Sequence, residues 1–252
     1  MNNISTDQKA TKSIDAVGTG IEHKMIEQPS LAVPSRRSFL SKSAFALAGT
    51  ATLAMFKDTH AFAASKEEER EVGNRASQKA NFKAIRGHEN DHVQFLLMAL
   101  GSAARPKPTF KGLLQKTYTD FCIIAQALEN TGVGAYLGAA PFINDPLYLS
   151  AAGSILTVES RHSGYLNTYL HDPITAPASD DDANPSFDAP LTAAQVVAGA
   201  GVFIASLNGG PDVTYAQTRS DANDIDILNF AMALEFLEAD FYQLNYAKFY
   251  GR

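Results

Sequence analysis

Apolar residues recur at helical spacing in four long segments of the chain. These segments cover about residues 66–100, 111–137, 146–170 and 225–249. Gly101 ends the first segment, and the two prolines of the following "ARPKP" prevent its continuation. Pro146 is favourable in the first turn of the third. The pattern therefore predicts four long helices.

The segment between the third and fourth helices, residues 172–222, has a different character. Its first part is rich in Pro, Asp and Ser and indicates an irregular connection, and a short helix is predicted over 191–207 with Thr192 as its cap. No segment has a convincing strand pattern. The predicted fold class is therefore all-α, a four-helix bundle with a short extra helix in the long loop.

The link between the first two helices leaves their relative direction open. Residues 101–110 span at most roughly 33–36 Å when extended, which is just enough to cross the bundle. Neighbouring helices joined by a compact loop would be antiparallel, whereas helices joined by a crossover would be parallel. The sequence permits both arrangements.

The N-terminal residues 1–63 have the features of a twin-arginine export signal. Arg36 and Arg37 stand in "SRRSFL", an apolar stretch follows at 44–56, and "AFA" at 61–63 resembles a cleavage site for a signal peptidase. A buried helix with a chance pair of arginines is the alternative. The export interpretation predicts a periplasmic or secreted bacterial protein whose folded domain covers residues 64–252.

The composition of the chain limits the kinds of molecule that it is expected to bind. The chain has 21 Lys and Arg against 27 Asp and Glu, so nucleic acid is not expected to bind it. The apolar stretch at 44–56 is too short for a stable membrane span, and none is expected in the mature protein. The single cysteine, Cys122, excludes an internal disulfide framework. It is expected to be a small buried residue, with a metal thiolate as the alternative.

Two repeated motifs suggest metal chemistry. Glu-x-x-His occurs in the first and third helices, and Ala-Leu-Glu with a tyrosine seven residues after the Glu occurs in the second and fourth. The residues are Glu89 and His92, Glu159 and His162, Glu129 with Tyr136, and Glu235 with Tyr242. Residues three apart share a helix face, so each Glu-x-x-His can direct both side chains to one point. Four carboxylates and two imidazoles are the ligand set of a carboxylate-bridged two-metal centre in a four-helix bundle.

The surroundings of these glutamates support the same hypothesis. Glu129, Glu159 and Glu235 each follow an apolar run, and a buried Glu needs a partner or a metal. The alternative is that they are partly exposed residues at the edges of amphipathic helices. Mixed carboxylate and imidazole ligands suit iron, or manganese as a second choice.

The chain resembles the ferritin-like superfamily, and within it the group that includes the desiccation-related proteins. The resemblance rests on the stretches "GHENDHVQFLLMALGSAARPKP", "ALENTGVGAYLGAAP", "SILTVESRHSGYL", "FDAPLTAAQVV" and "DIDILNFAMALEFLEADFY". The helix that carries Glu235 stands first in the family pattern and last in this chain, as a circular permutation would leave it. Exchange of this last helix between two copies, giving a homodimer, is the alternative.

The resemblance also implies roles for individual residues. Glu89 and Glu159 would bridge two metal ions, His92 and His162 would each add a nitrogen ligand, and Glu129 and Glu235 would be terminal ligands. Tyr136 and Tyr242 would hydrogen-bond ligand carboxylates, although packing explains them almost as well. Glu238 is expected to be exposed.

A rival motif overlaps the first Glu-x-x-His. Residues 88–92 spell His-Glu-Asn-Asp-His, the pattern of a zinc metalloprotease in which His88 and His92 bind zinc and Glu89 is the general base. That hypothesis leaves Glu129 and the second Glu-x-x-His unexplained. Under the two-metal hypothesis, His88 is an exposed neighbour of the site.

The leading functional hypothesis is a centre of two iron ions, or two manganese ions, that oxidises ferrous iron or handles dioxygen or peroxide in stress protection. A protein of this fold can also serve as a non-catalytic stress or envelope protein, because fold does not fix function. Turnover of peroxide or ferrous iron would distinguish the two hypotheses.

Overall fold

A computed structural model describes residues 75–175 and 184–251. Five helices make up most of this part of the chain: α1 (Arg75–Leu100), α2 (Tyr118–Ala139), α3 (Pro146–Tyr169), α4 (Ala193–Ala200) and α5 (Asp221–Tyr250). The four long helices correspond to the four predicted ones and α4 to the predicted short one, so the all-α fold class is confirmed. The predicted export signal at 1–63 and the predicted helical residues 66–74 lie outside the described residues.

The long helices pack as two pairs, α1 with α5 and α2 with α3. Lys79, near the start of α1, donates a hydrogen bond to the backbone carbonyl of Tyr250 at the end of α5 (2.9 Å), so this pair is antiparallel. The ring of Phe82 in α1 lies 4.9 Å from that of Phe121, near the start of α2. Helices α1 and α2 therefore run in the same direction, and residues 101–117 cross the bundle between them.

Two buried asparagines of α5 hold this crossover in place. The side-chain oxygen of Asn229 accepts a hydrogen bond from the backbone N–H of Arg105 (2.7 Å), and that of Asn245 accepts one from the backbone of Gln115 (2.9 Å). The amide group of Asn245 also donates to the carbonyl of Leu113 (2.8 Å). Irregular backbone buried beside a helix needs such partners, because it has no regular hydrogen bonds of its own.

The segment before α2 differs from the prediction. Residues 111–117 are not helical, and α2 begins at Tyr118 with Thr117 as its cap. Two short strands, β1 (Thr109–Phe110) and β2 (Ile204–Ser206), pair antiparallel, so the prediction of no strand is wrong for these residues. Gly112 has a φ of 69°, which a right-handed helix cannot contain. Pairing with a distant segment therefore replaces the local helical preference.

The short helix α4 lies against α2. Thr192 caps it as predicted, and Gln195 completes a capping box, but the helix ends at Ala200 rather than continuing to 207. The backbone N–H of Leu191 donates to the carbonyl of Gly134 (2.8 Å). A Cβ on Gly138 would lie 1.8 Å from the carbonyl oxygen of Leu191, so only glycine fits there. This close approach fixes α4 over α2.

Two apolar clusters fill the bundle, one above the other. One includes Phe82, Phe121 and Tyr242, and the other includes Leu96 and Met232. Along α1, Ile85 belongs to the first cluster and Val93 to the second. The residues between them on the same face therefore lie at the junction of the two clusters, in the middle of the bundle.

Candidate metal centre

The four predicted glutamates and two predicted histidines converge at this junction. They come from all four long helices: Glu89 and His92 from α1, Glu129 from α2, Glu159 and His162 from α3, and Glu235 from α5. The glutamates are at most 1% exposed and the histidines at most 8%. The alternative of partly exposed residues at helix edges is therefore wrong. The role of these residues as metal ligands remains a prediction.

The cluster divides into two groups of four potential ligands. One consists of Glu89, His92, Glu159 and Glu235, and the other of Glu89, Glu129, Glu159 and His162. Within each group, one ligand atom from each residue lies within 4.8 Å of the others. Glu89 and Glu159 belong to both groups. Two neighbouring groups with two common carboxylates are the arrangement that a carboxylate-bridged pair of cations would require.

Glu89 shows most directly how one carboxylate can serve both groups. Its Oε2 lies 3.3 Å from Nδ1 of His92, and its Oε1 lies 3.0 Å from Nδ1 of His162. Glu159 also faces His92, with 3.1 Å between Oε1 and Nδ1. Each oxygen of Glu89 therefore points towards a different imidazole, as a bridging ligand requires.

The two remaining glutamates have matching environments at opposite sides of the cluster. Oε2 of Glu235 lies 3.3 Å from Nδ1 of His92, and its Oε1 accepts a hydrogen bond from Tyr136 (2.5 Å). Oε2 of Glu129 lies 3.2 Å from Nδ1 of His162, and its Oε1 accepts one from Tyr242 (2.5 Å). Both tyrosines thus hold a carboxylate with one oxygen directed inwards, which orients a ligand.

Protonation in the metal-free cluster reflects its crowded negative charge. Burial, and then the charge of Glu159, raise the pKa of Glu89 to about 7 despite its imidazole contacts. Burial, and then Glu129, raise the pKa of Glu159. Burial lowers the pKa of His162, but Glu129 and Glu89 outweigh it and raise the value to about 11. Protons on the imidazole of His162 and on Glu89 and Glu159 therefore offset part of the negative charge of the cluster.

The donor atoms fit a pair of cations. All four oxygens of Glu89 and Glu159 are buried and accept no hydrogen bond from the described residues beyond their ionic contacts with the imidazoles. A buried carboxylate oxygen left without a donor is destabilising, and a divalent cation would supply the missing partner. Carboxylate and imidazole ligands without thiolate favour iron or manganese.

His88 is exposed, as expected, but it contacts the cluster in a way that the sequence did not indicate. A hydrogen bond of 2.9 Å joins its Nδ1 to Nε2 of His162, and the two rings are nearly coplanar, with 5° between their planes and centroids 5.2 Å apart. Among the described residues, neither potential ligand group includes His88. The structure therefore combines Glu89 and His92 with the second Glu-x-x-His, which the zinc protease hypothesis leaves unused.

The expectation that Glu238 is exposed is wrong, because its exposure is only 3%. The side chain lies one helical turn after Glu235 on the buried face of α5. Burial, and then the charge of Glu159, raise its pKa. Its spacing of three residues from Glu235 was a signal that both share a face of the helix. Helix α5 is buried on almost every side near its middle, which its sequence does not show at single-residue level.

Cys122 and His171 are outside the candidate centre. Cys122 is buried in an apolar cluster, as predicted, and belongs to neither ligand group. His171 follows α3 with a φ of 65°, and its backbone N–H donates to the carbonyl of Thr168. His171 is therefore part of the backbone turn that ends α3. Within the described residues, no helix combines the length and apolarity needed to cross a membrane.

Fold and site together define a four-helix bundle with a buried cluster of carboxylates and imidazoles that could hold metal. Residues 41–172 match the family model described as the ferritin-like domain. The chain belongs to this family. The matched range contains the potential ligands of α1, α2 and α3, while Glu235 of α5 lies beyond it. No curated protein and no solved structure matches the chain significantly.

Proposed function

We propose that this protein binds two iron ions, or two manganese ions, and uses them to oxidise ferrous iron or to handle dioxygen or peroxide. The observation that carries the proposal is the pair of ligand groups with Glu89 and Glu159 in common. Iron or manganese at such a centre would supply redox chemistry with an oxygen substrate.

The side chains of the bundle would bind, orient and shield the metal pair. Glu89 and Glu159 would bridge, and Tyr136 and Tyr242 would keep Glu235 and Glu129 in position for the outer coordination sites. The apolar clusters on both sides exclude bulk water from the cluster. A dry site protects a reactive oxygen substrate from side reactions.

Export is the second part of the proposal. The twin-arginine pattern at Arg36 and Arg37 supports a periplasmic or secreted protein that acts in stress protection. Twin-arginine export moves folded proteins, which suits a cofactor installed before transport. Cell fractionation of the wild-type chain and of an Arg36→Lys, Arg37→Lys double variant tests this, and export of both to an equal extent would contradict it.

The order of the helices is the third part. We infer that the chain is a circular permutation of the family pattern, with α5 taking the place of the first family helix. The antiparallel contact between the end of α5 and the start of α1 supports this, because a short loop could join them there. An experimental structure of a family member tests it; a helix equivalent to α5 that also follows the other three would contradict the inference.

The test of the metal centre is elemental mass spectrometry of the purified full chain, followed by assays of peroxide and ferrous iron turnover. We expect two iron or manganese ions per chain. We expect the His162→Ala variant to lose stoichiometric loading and turnover, because it removes the only imidazole of its ligand group. His171→Ala, an exposed histidine after the same helix, is the matched control and should retain both.

Other outcomes of these measurements would contradict the proposal or favour another hypothesis. Retention of both metals by His162→Ala would contradict the ligand assignment. One zinc ion per chain would favour the protease hypothesis through His88 and His92. No metal, even after anaerobic loading with ferrous iron, would favour the non-catalytic stress protein.

A further inference from the structure

Glu238 is a buried glutamate that belongs to neither group of potential ligands. Its exposure is 3%, and among the described residues none donates a hydrogen bond to it or forms an ion pair with it. The charges that act on it most strongly are those of four other carboxylates, Glu159 foremost, and all of them are repulsive. A buried carboxylate without a partner is destabilising, so its presence calls for a functional reason.

The side chain of Glu238 lines a small cavity between α2, α5 and the end of α4. The apolar part of the wall comes from four residues: Leu128, Ala200, Leu234 and Leu237. The volume of the cavity is about 10 Å3, enough for one water-sized particle. Glu238 is the charged group of this lining, which also includes Thr131 and Gly132, so the cavity is a small, mostly apolar space that contains a carboxylate.

Gly132 lies between this cavity and the ligand cluster. It lines the cavity, and a Cβ built on it would lie 3.6 Å from Oε1 of Glu238 and 3.2 Å from Oε2 of Glu159. The two carboxylates therefore reach the same small space, one from the cavity and one from the ligand cluster. The absence of a side chain at position 132 keeps that space open.

We propose that this cavity is the route by which a divalent cation enters the metal centre, and that Glu238 binds the cation on its way to Glu159. The inference rests on the proposed two-metal function. A cavity that holds one water-sized particle requires a cation to lose much of its hydration shell, and the carboxylate of Glu238 would replace part of the lost oxygen ligands. Dioxygen has neither charge nor a hydrogen-bond donor, and hydrogen peroxide could gain only hydrogen bonds, so both would gain less from this carboxylate than a divalent cation would. A cation is therefore the ligand that Glu238 suits.

The short helix α4 forms the outer side of this route. Ala200, its last residue, is buried against the cavity, while the side chain of Val202 just beyond it is 53% exposed. The cavity thus lies beneath a thin cover of one short helix and the residues that follow it. A cation from solvent would pass this cover, then Glu238, and then Gly132.

The test follows the loading of metal-free full-length protein with Mn²⁺ in the absence of oxygen. Samples are quenched with a chelator at increasing times and desalted, and bound manganese is measured by elemental mass spectrometry. We expect Glu238→Gln to load about tenfold more slowly than wild type, because one negative charge of the passage is gone. It should still reach two ions per chain, since the ligand groups are intact.

Two control variants, Asp240→Asn and Gly153→Ala, separate this effect from general damage to the fold. Asp240→Asn makes the same change of charge on the same helix at a more exposed residue, which pairs with Lys107, and it should load at the wild-type rate. Gly132→Ala narrows the space between Glu238 and Glu159 and should also slow loading, while a final content of two ions per chain shows that Glu159, 3.2 Å from the added Cβ, still binds metal. Gly153→Ala is its control, because a Cβ at Gly153 of α3 meets nothing within 4 Å. Thermal unfolding of each variant confirms that it is folded.

The outcomes distinguish this inference from the proposed function. If wild-type protein takes up no Mn²⁺ and no Fe²⁺, the proposed function fails and the inference fails with it. If wild type binds two ions and Glu238→Gln loads equally fast, the inference is overturned and the metal centre stands. If Glu238→Gln binds only one ion, Glu238 is part of the centre and not of its access route, which also overturns the inference.

Discussion

The two halves of the candidate metal centre have the same residue types but different surroundings. One half contains His92 with Glu235, and the other contains His162 with Glu129. In the first half the ionic contacts of the imidazole with glutamates are all made by Nδ1, on the side of the cluster. In the second half Nε2 also bonds to the exposed His88.

The difference comes from one residue of the repeated motif. His88 precedes Glu89 on α1, and Val158 occupies the corresponding position before Glu159 on α3. Only the half that contains His162 therefore has a polar link from the ligand cluster to an exposed side chain. The comparison shows that a symmetric set of potential ligands does not have two equivalent environments, because the residues around it follow no such symmetry.

Removing a carboxylate common to both halves should have the largest effect. We expect Glu159→Ala to reduce bound metal from two ions to less than one, because both ligand groups lose an oxygen donor. Glu235→Ala removes a donor from one group only and should leave one ion bound. Elemental mass spectrometry after desalting measures both, and Ser160→Ala is an exposed control beside Glu159. Equal loss in Glu159→Ala and Glu235→Ala would show that the halves do not share Glu159.

A change of pH should have a smaller effect. It should change the thermal stability of the metal-free protein more than that of the metal-loaded protein. The pKa values of five buried groups in and beside the cluster are all raised: those of Glu89, Glu159, Glu238, His92 and His162. The native metal-free protein therefore binds more protons than the unfolded chain, and its stability falls as pH rises. For His162 the contribution is complete below the ordinary histidine pKa of about 6.5 and is lost as pH rises through about 11.

Thermal unfolding between about pH 6 and pH 9 measures this dependence. We expect the Tm of metal-free protein to fall over this range because of the cluster, and that of protein loaded with Mn²⁺ to fall less, because bound cations replace the protons. Metal binding should also release protons from the imidazoles, which calorimetry in buffers of different ionisation enthalpy detects. Parallel curves for the two forms would show that the cluster is not where the metal binds.

Replacing His88 should have the smallest effect on metal binding and should change the affinity of one half of the cluster alone. We expect His88→Ala to weaken the affinity for one of the two ions by about tenfold. This is the lower end of the loss of metal affinity that follows removal of a hydrogen-bond partner of a metal ligand. Chelator competition measures each affinity, and His171→Ala is the control for loss of an exposed imidazole. If both ions weaken equally, the asymmetry between the halves has no energetic consequence.

The sequence predicted the bundle and the convergence of the six side chains because both depend on local spacing. Glu89 and His92 share a helix face whatever surrounds them, and Pro146 sets the start of α3. The strands at Thr109 and Ile204 could not be predicted in this way, since each depends on a partner almost a hundred residues away. The same holds for the contact of His88 with His162, which requires α1 and α3 to be placed side by side.

The direction of the crossover and the burial of Glu238 were also beyond the sequence. Residues 101–110 were long enough for either direction, and the choice depends on hydrogen bonds to Asn229 and Asn245 of a helix far along the chain. Glu238 differs from an exposed helix residue only because α4 and α2 cover that part of α5. Neither fact is visible in a periodic pattern.

The asparagines of α5 that hold the crossover also affect the order in which the molecule can be completed during synthesis. Residues 101–117 leave the ribosome long before residues 221–250, so their buried hydrogen-bond partners are missing until the last helix of this sequence emerges. The same helix brings Glu235, and with it the fourth member of one ligand group. A nascent or truncated chain without α5 therefore lacks the helix that packs against α1 and one potential ligand of the cluster. The fold thus makes completion of the cluster depend on the synthesis of α5.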